Sequence, residues 1–506
     1  MKYGFLFGAG AEVGYGLPSG GLFALDIFRH DTAESKQDFK NMRDNVELTT
    51  AYANQWLPTD FHTKNISSYG KSVFQNIIRD TVEHNRDTII AKLNDFDEIA
   101  KREAEKLKDN FGFDITLIIE EALQRDIDNA MMGQQVSFID EFKEGNKLFD
   151  NHFFSAFLLI YKERKDIIQS QIVEFRKILL SILQLQVGAL SEELSRKIND
   201  SLFSHKDDEI DIFDDIGEII QLNYSSSGLS GMEYLLEQRE ADIDTDGGRI
   251  LRFAQRVIEA IYASVLDYKS LIDANWHYLY SPKSDWAKFC KISIFLLTVR
   301  SYISEKVAQA NISDNQSGYY HMLKAAIDNQ DYDISIIATT NYNPFIENVI
   351  GKDIAYLNGS TEIWYDPYLN RIGKKENLDT DEHHFLVPLM FTQSGTKPMT
   401  AIDMSIRYVD TYNKWKYSDA VIVVGFGFGS DDEHINGILR TLVDVDEKKL
   451  IVVTLSREVL SIDTVSKDIA RKLKVRKRTN IKVIQVNHNG YTLDSNIAWS
   501  QAIKDI

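Results

Sequence analysis

Residues Tyr3 to Phe7 form a short apolar and aromatic run. Directly behind them stand Gly8-Ala9-Gly10-Ala11, then Glu12-Val13-Gly14-Tyr15-Gly16-Leu17-Pro18-Ser19-Gly20-Gly21. A strand that opens into closely spaced glycines can bring backbone N–H groups up to a pyrophosphate, because glycine permits a tight turn and close approach. Gly8, Ala9 and Gly10 would supply that turn, and the ligand would be a dinucleotide. An ordinary turn at a strand end can look the same, since one Gly-x-Gly is a weak signal. The spacing also departs from the common dehydrogenase fingerprint. Gly14 falls one residue late, and no acidic residue closes a nearby second strand to hold a ribose. Simple hydride transfer is therefore disfavoured.

Three later clusters share the same setting. Ile334 to Thr339 run into Thr340-Asn341-Tyr342-Asn343-Pro344-Phe345. Ile354 to Leu357 run into Asn358-Gly359-Ser360. Val421 to Val424 run into Gly425-Phe426-Gly427-Phe428-Gly429-Ser430-Asp431-Asp432, then Glu433-His434-Ile435-Asn436. Each follows an apolar run that reads as a buried strand. Open α/β sheets collect their ligand groups at the carboxyl ends of such strands.

The elements that must position these clusters can be read from texture. Ala420 to Val424, Leu450 to Leu455 and Ile481 to Val486 are largely apolar runs separated by helical spacing. They predict a parallel sheet covered on both faces. No proline lies between Thr59 and Ser281, and helical periodicity recurs over Asp87 to Lys108, Ile115 to Ala130, Asp166 to Leu185 and Ile250 to Ile272. Trp286 to Ala308 and Gly318 to Asn329 continue it. The expected fold is α/β: a Rossmann-like parallel sheet with helices on both faces, interrupted by a large, mostly α-helical insertion. Residues 1–30 would give the first strand and glycine loop, 31–330 the insertion, and 331–506 the rest of the sheet domain.

Composition narrows the classes. The chain has 506 residues and a net charge of −19, which argues against broad nucleic-acid binding. The basic run Arg471, Lys472, Lys474, Arg476, Lys477, Arg478 reads as a solvated helix end, with a patch for an acidic partner as the alternative. The acidic run Asp207 to Asp215 lacks the central glycine of a calcium loop. No stretch reaches the roughly 20 apolar residues of a membrane span. No signal-peptide pattern opens the chain, so a cytoplasmic protein is expected. A single cysteine, Cys290, excludes an intramolecular disulfide and a four-cysteine zinc module.

Taken in order, Gly-Ala-Gly…Gly-Leu-Pro-Ser, Thr-Thr-Asn-Tyr, Leu-Asn-Gly-Ser and Gly-Phe-Gly-Phe-Gly with Asp-Asp resemble the sirtuin-like NAD-binding family. The resemblance covers about the first thirty residues and the last 170. In particular the chain looks like bacterial sirtuin-like proteins of anti-phage systems, which hydrolyse NAD+. The resemblance implies that Asn341 sits by the nicotinamide ribose and positions water or a ribose hydroxyl. It implies that Gly425, Gly427 and Ser430 border the adenosine half. Ala11, Pro18, Thr340, Asn343, Gly359, Ser360 and Asp432 would complete the cofactor-binding set.

Two positions depart from the family pattern. Asn358 stands where the family's general-base histidine usually precedes Gly-Ser, and an amide takes no proton at neutral pH. Asn343 stands where an aspartate usually grips the carboxamide. A hydrolase that only holds water near a reactive cation could tolerate both changes; a binding site whose catalysis has decayed would also carry them. His434 could substitute for the missing histidine or simply serve as a local helix-start residue. His383 and His384 are expected on the surface, where with Asp381 and Glu382 they could hold a metal only if adjacent side chains converged. His30 could face the cleft.

The leading expectation is an NAD+ hydrolase that releases nicotinamide and ADP-ribose, a defence effector acting by NAD+ depletion. It would form homo-oligomers and work with an ATPase or sensor partner, without zinc. The alternatives are an NAD+ or ADP-ribose-binding subunit without turnover, and ADP-ribosyl transfer to protein.

Overall fold

The computed structural model describes residues 1–17, 21–70, 85–131, 147–189, 235–236, 240–265, 275–310, 318–378, 381–390, 401–429, 432–456 and 459–505. Pro18, Ser430, Asp431 and the acidic run 207–215 lie outside them. Two compact units emerge. One draws on 1–19, 30–69 and 269–506, the other on 20–29 and 70–268.

The first unit is α/β. Its six-stranded sheet contains β1 (Lys2–Phe7), β2 (Asp333–Thr339), β3 (Ile354–Tyr356), β7 (Ala420–Val424), β8 (Lys449–Leu455) and β9 (Ile481–Val486). The spatial order is β3-β2-β1-β7-β8-β9, and every pairing is parallel. In chain order of these six strands that is 3-2-1-4-5-6, so the direction of strand addition reverses at β1 and β7. All five residues of β7 are buried, as a strand covered on both faces requires.

One face of the sheet packs Phe5, Phe7, Ile422 and Val424 against Tyr320, Leu323, Phe345 and Trp499. These come from the helices Tyr319–Asp328, Phe345–Ile350 and Trp499–Ala502. The other face receives the helix Ile402–Lys416, whose Trp415 is fully buried. Gly4 makes room for it, since a Cβ there would overlap the indole ring.

A second sheet was not legible in the sequence. It is antiparallel, in the order β5 (Arg371–Gly373), β4 (Gly359–Asp366), β6 (Val387–Met390). Its strands are short, β6 carries Pro388, and the β4–β6 register shifts between Gly359 and Trp364. These features erase the alternation that marks a strand.

The second unit is helical among its described residues. Its helices include Arg86–Asn94, Phe96–Phe111, Ile115–Leu123, His152–Glu163, Ile172–Ala189 and Asp246–Val265. Their apolar faces share a core containing Phe96, Phe154, Phe157, Phe175 and Phe253. The helical run expected from Asp87 to Lys108 is two helices that break at Asp95. The reason lies at the second helix start. Asp97 accepts the N–H groups of His152 and Phe153 (both 2.9 Å), while Asn151 accepts the N–H of Asp97 (3.0 Å). Two helix N-termini thus cap one another, and a continuous helix would forfeit both caps.

Trp415 and Gly4 give a direct check on the sheet packing. Gly4→Ala should destabilise the chain by about 1–3 kcal/mol through overpacking, read as a lower denaturant midpoint at unchanged slope. An unchanged midpoint would show that the indole can move aside.

Candidate functional site

The registers of three strands bring the motifs together. Phe7 of β1 pairs with Thr339 of β2 and with Val424 of β7. The segments that follow each strand therefore leave from one edge of the sheet, side by side. Leu357 N–H bonds the Thr339 carbonyl (2.8 Å), which brings Asn358 to the same edge.

The glycine loop turns as expected, but the amides of Gly8, Gly10 and Ala11 are taken up within the protein. Gly8 N–H donates to the Val424 carbonyl and Gly10 N–H to the Gly425 carbonyl (both 2.9 Å). Ala11 N–H donates to the Gly8 carbonyl (3.0 Å), closing a short 3-10 turn over Ala9–Ala11. A Cβ on Gly8 would stand 2.7 Å from the Gly425 oxygen, and one on Gly10 would stand 2.8 Å from it. Gly425 itself has φ +64°, and a Cβ there would overlap Ala11 N. This corrects one part of the sequence reading. Gly8 and Gly10 lie at the expected edge, yet their N–H groups bind the neighbouring loop, so the close loop–loop contact is what demands glycine. Gly427, by contrast, borders open space.

Behind this loop lies a polar cluster that sequence reasoning missed. Glu12 is buried, with only 5% of its surface exposed. Its Oε1 accepts the Tyr320 hydroxyl proton, and its Oε2 accepts an N–H from the Asn343 amide (both 2.8 Å). Asn341 Nδ2 donates to the same Tyr320 oxygen (3.2 Å). Asn343 Oδ1 accepts the Phe345 N–H (3.0 Å), and Asn341 N–H donates to Thr339 Oγ1 (3.0 Å). Thr340 ties back to β1 through its N–H on the Phe7 carbonyl (3.0 Å). Both motif asparagines thus meet one carboxylate, directly or through one phenol. Burial pushes the Glu12 carboxyl up to about 7, although the bonds from Asn343, Tyr320 and Asn341 act to lower it. The one available signal was a charged residue inside an otherwise uncharged glycine loop.

A second group surrounds Asn358, which is 2% exposed. Its Oδ1 has no hydrogen-bond partner among the described residues. Gly359 has φ +89°, and a Cβ there would also overlap the Leu389 carbonyl, so two constraints favour glycine. Ser360 is buried, and its Oγ accepts the Glu362 N–H (3.2 Å). The Tyr408 hydroxyl donates to the Leu357 carbonyl, and its ring meets His434 edge-on at 5.7 Å. His434 therefore lies near the Asn358 segment, at the start of the helix Glu433–Asp444. Asp432 is buried beside the same phenol, and its N–H donates to the Gly429 carbonyl (3.1 Å).

Other sequence candidates stand elsewhere. His384 is buried between two carboxylates, Asp366 Oδ2 on Nδ1 and Glu382 Oε2 on Nε2 (both 2.8 Å). It is not the surface residue expected. Burial acts to lower its pKa, and the bonds to Asp366 and Glu382 outweigh it, so the pKa is raised. His30 Nδ1 lies 3.8 Å from Glu305, beside Tyr302. In the basic run, Arg471 and Lys472 pair with Asp468, Lys474 with Glu433, Lys477 with Glu447 and Arg478 with Asp463. That matches a solvated helix end. Among the described residues no group of three His, Cys, Asp or Glu could hold a metal, and no helix is long and apolar enough to cross a membrane.

Comparison with protein-family models, with curated proteins and with solved structures returns no match to this chain. The site is therefore read from its own geometry.

The buried Glu12 links stability to pH. Its folded pKa, about 7, lies above the ordinary 4.5, so the native state holds this proton more tightly than the unfolded chain. Its contribution is full below the unfolded value and is lost as pH rises through about 7. Relative to Glu12→Gln, the wild-type chain should lose stability on the order of 3 kcal/mol across that window. Parallel pH profiles from denaturant unfolding would overturn the assignment.

Proposed function

We propose that the chain binds NAD+ at the carboxyl edge of β1, β2 and β7 and hydrolyses its nicotinamide–ribose bond. The observation that carries this reading is the convergence there of Gly8–Ala11, Thr340–Asn343, Asn358–Ser360 and Gly425–Gly429. Those segments carry the sirtuin-like resemblance, and they meet where the strand order reverses. Ligands of open parallel α/β sheets bind at such a switch point. The 3-2-1-4-5-6 order further supports a Rossmann-like domain, with the helical unit as an insertion serving assembly or control.

Cleavage leaves an oxocarbenium-like ribose and neutral nicotinamide. Little proton transfer is needed for bond breaking, because the leaving group departs uncharged. The demands are orientation, a polar group beside the cation, and water on its open face. Asn341 suits that place: its amide is buried and held from behind by Tyr320. Asn343 would hold the carboxamide, with Asn358 and His434 along the ribose side. The wider setting is a cytoplasmic homo-oligomeric effector that depletes NAD+ during phage defence, with an ATPase or sensor partner.

A second reading has its own support. Asn358 cannot act as a base, which favours an NAD+ or ADP-ribose-binding subunit without turnover. Incubation of pure protein with NAD+ separates them. Nicotinamide release, abolished by Asn341→Ala with folding intact, is the expected result. Calorimetric binding of NAD+ with no product, alone or with a partner, would favour the second reading. Label from NAD+ retained on protein would point to ADP-ribosyl transfer.

A further inference from the structure

We infer that Glu12 is a positioning residue: through Tyr320 it sets which end of the Asn341 amide faces the ligand. This rests on the NAD+ reading for its consequence in turnover, though not for its geometry.

The inference follows from counting protons. A tyrosine hydroxyl has one proton to donate. With Glu12 ionised, both carboxylate oxygens can only accept. The Tyr320 proton must then point at Glu12 Oε1, and the Tyr320 oxygen is left to accept from Asn341 Nδ2. The Asn341 nitrogen is thereby held toward the protein, and its carbonyl oxygen is turned away from Tyr320. A carbonyl dipole pointing its negative end outward suits a ribose that becomes cationic, or a water or hydroxyl that must donate.

Protonating Glu12 reverses the chain. A carboxylic O–H at Oε1 would donate to the Tyr320 oxygen. The Tyr320 proton, displaced from that contact, would then be free to seek the Asn341 carbonyl oxygen. The second carboxyl oxygen still accepts from Asn343 Nδ2, so the loop stays tied in both states. The proton comes from solvent. Asn343 is thus anchored in both states, while Asn341 is the member that responds.

The surroundings permit this switch near neutrality. No lysine, arginine or histidine forms an ion pair with Glu12 among the described residues. The groups that face it are Tyr320, Asn343 and Asn341, the last also bonded to the Tyr320 oxygen, with Tyr15 and Tyr356 at longer range. The Tyr15 hydroxyl shares a hydrogen bond with His321 Nδ1 (3.0 Å), accepts the Tyr320 N–H (2.9 Å), and its ring stacks on Tyr320. Burial raises both phenols, so neither ionises with Glu12. Burial pushes the Glu12 carboxyl up to about 7.

Glu12→Gln is the informative variant, since glutamine reproduces the protonated arrangement. Its Nε2 can donate to Tyr320 and its oxygen can accept from Asn343. Nicotinamide release should rise with pH through about 7 in the wild-type chain, with kcat changing and KM nearly constant. Glu12→Gln should hold kcat at the low-pH level, down about tenfold or more above neutrality, and should flatten that limb. Tyr320→Phe, which cuts the relay but leaves Glu12, should lose kcat similarly. A Glu12→Gln enzyme that keeps both kcat and the pH limb overturns the inference.

A ligand-free measurement separates this from failure of the NAD+ reading. In a deuterated chain labelled with 15N-asparagine, the Asn341 side-chain NH2 pair can be assigned by its loss in Asn341→Asp. It should shift as Glu12 titrates in the wild type and stay still in Glu12→Gln. No shift overturns the role of Glu12, whether or not NAD+ is cleaved. A shift without nicotinamide release overturns the hydrolase alone.

Discussion

Everything at the candidate site depends on how closely the loop after β1 approaches the loop after β7. The two loops share backbone hydrogen bonds through Gly8, Gly10 and Gly425, with no side chain between them. That contact fixes where the chain leaves the sheet, and so fixes Glu12, two residues later. It also fixes the opening beside Gly427. The same contact forces β1 to lie between β2 and β7, although those strands begin more than 300 residues downstream. A long loop costs little extra closure entropy, which grows only logarithmically with length. The helical unit can therefore sit between β1 and β2 in sequence without weakening the sheet.

The close contact has an electrostatic consequence. It draws a carboxylate into the protein, where an isolated charge is expensive. Among the described residues the carboxylate meets neutral donors and no cation. Tyr320 and Asn343 each supply one hydrogen bond, and Asn341 supports Tyr320. Neutral donors only partly offset desolvation, which is why the carboxyl stays near neutrality and is not driven low. An arginine in that place would have locked the charge. The cluster is consequently coupled to both motif asparagines while keeping a proton it can exchange.

Much of the sheet was legible because a strand buried on both faces is written as an uninterrupted apolar run. Ala420 to Val424 needs no partner in sequence to be recognised, whereas the edge strand Ile481 to Val486 is broken by Lys482 and Gln485. The second sheet was hidden for the opposite reason: β4 mixes polar and aromatic residues, and Pro388 interrupts β6. The site was legible in its loops and obscure in its depth. Asn341 and Asn343 follow a strand and announce themselves. Glu12 gains meaning only from Tyr320 and Asn343, which lie 308 and 331 residues away. His384 was misplaced because its acidic neighbourhood reads as solvated surface. In the fold one neighbour, Glu382, and one distant residue, Asp366, enclose it, and Tyr52 packs on its ring.

Asn358 marks the point where the two readings of the site diverge. Its segment is held firmly, by Leu357 on Thr339, Tyr408 on Leu357 and the Gly359 approach to Leu389. A buried amide oxygen without a donor costs about 1–3 kcal/mol. A fold under no other demand would place an apolar residue there or supply a donor. The arrangement makes sense if a ligand brings the donor, and a ribose hydroxyl at this edge would do so. An asparagine oxygen can accept that hydroxyl proton in a hydrogen bond but cannot remove it. On the proposed NAD+ reading, an amide at this position would keep ribose recognition and offer no base. On that same reading, hydrolysis would draw its rate from orientation and from the dipole of Asn341, which would put the weight of the chemistry on the Glu12 cluster.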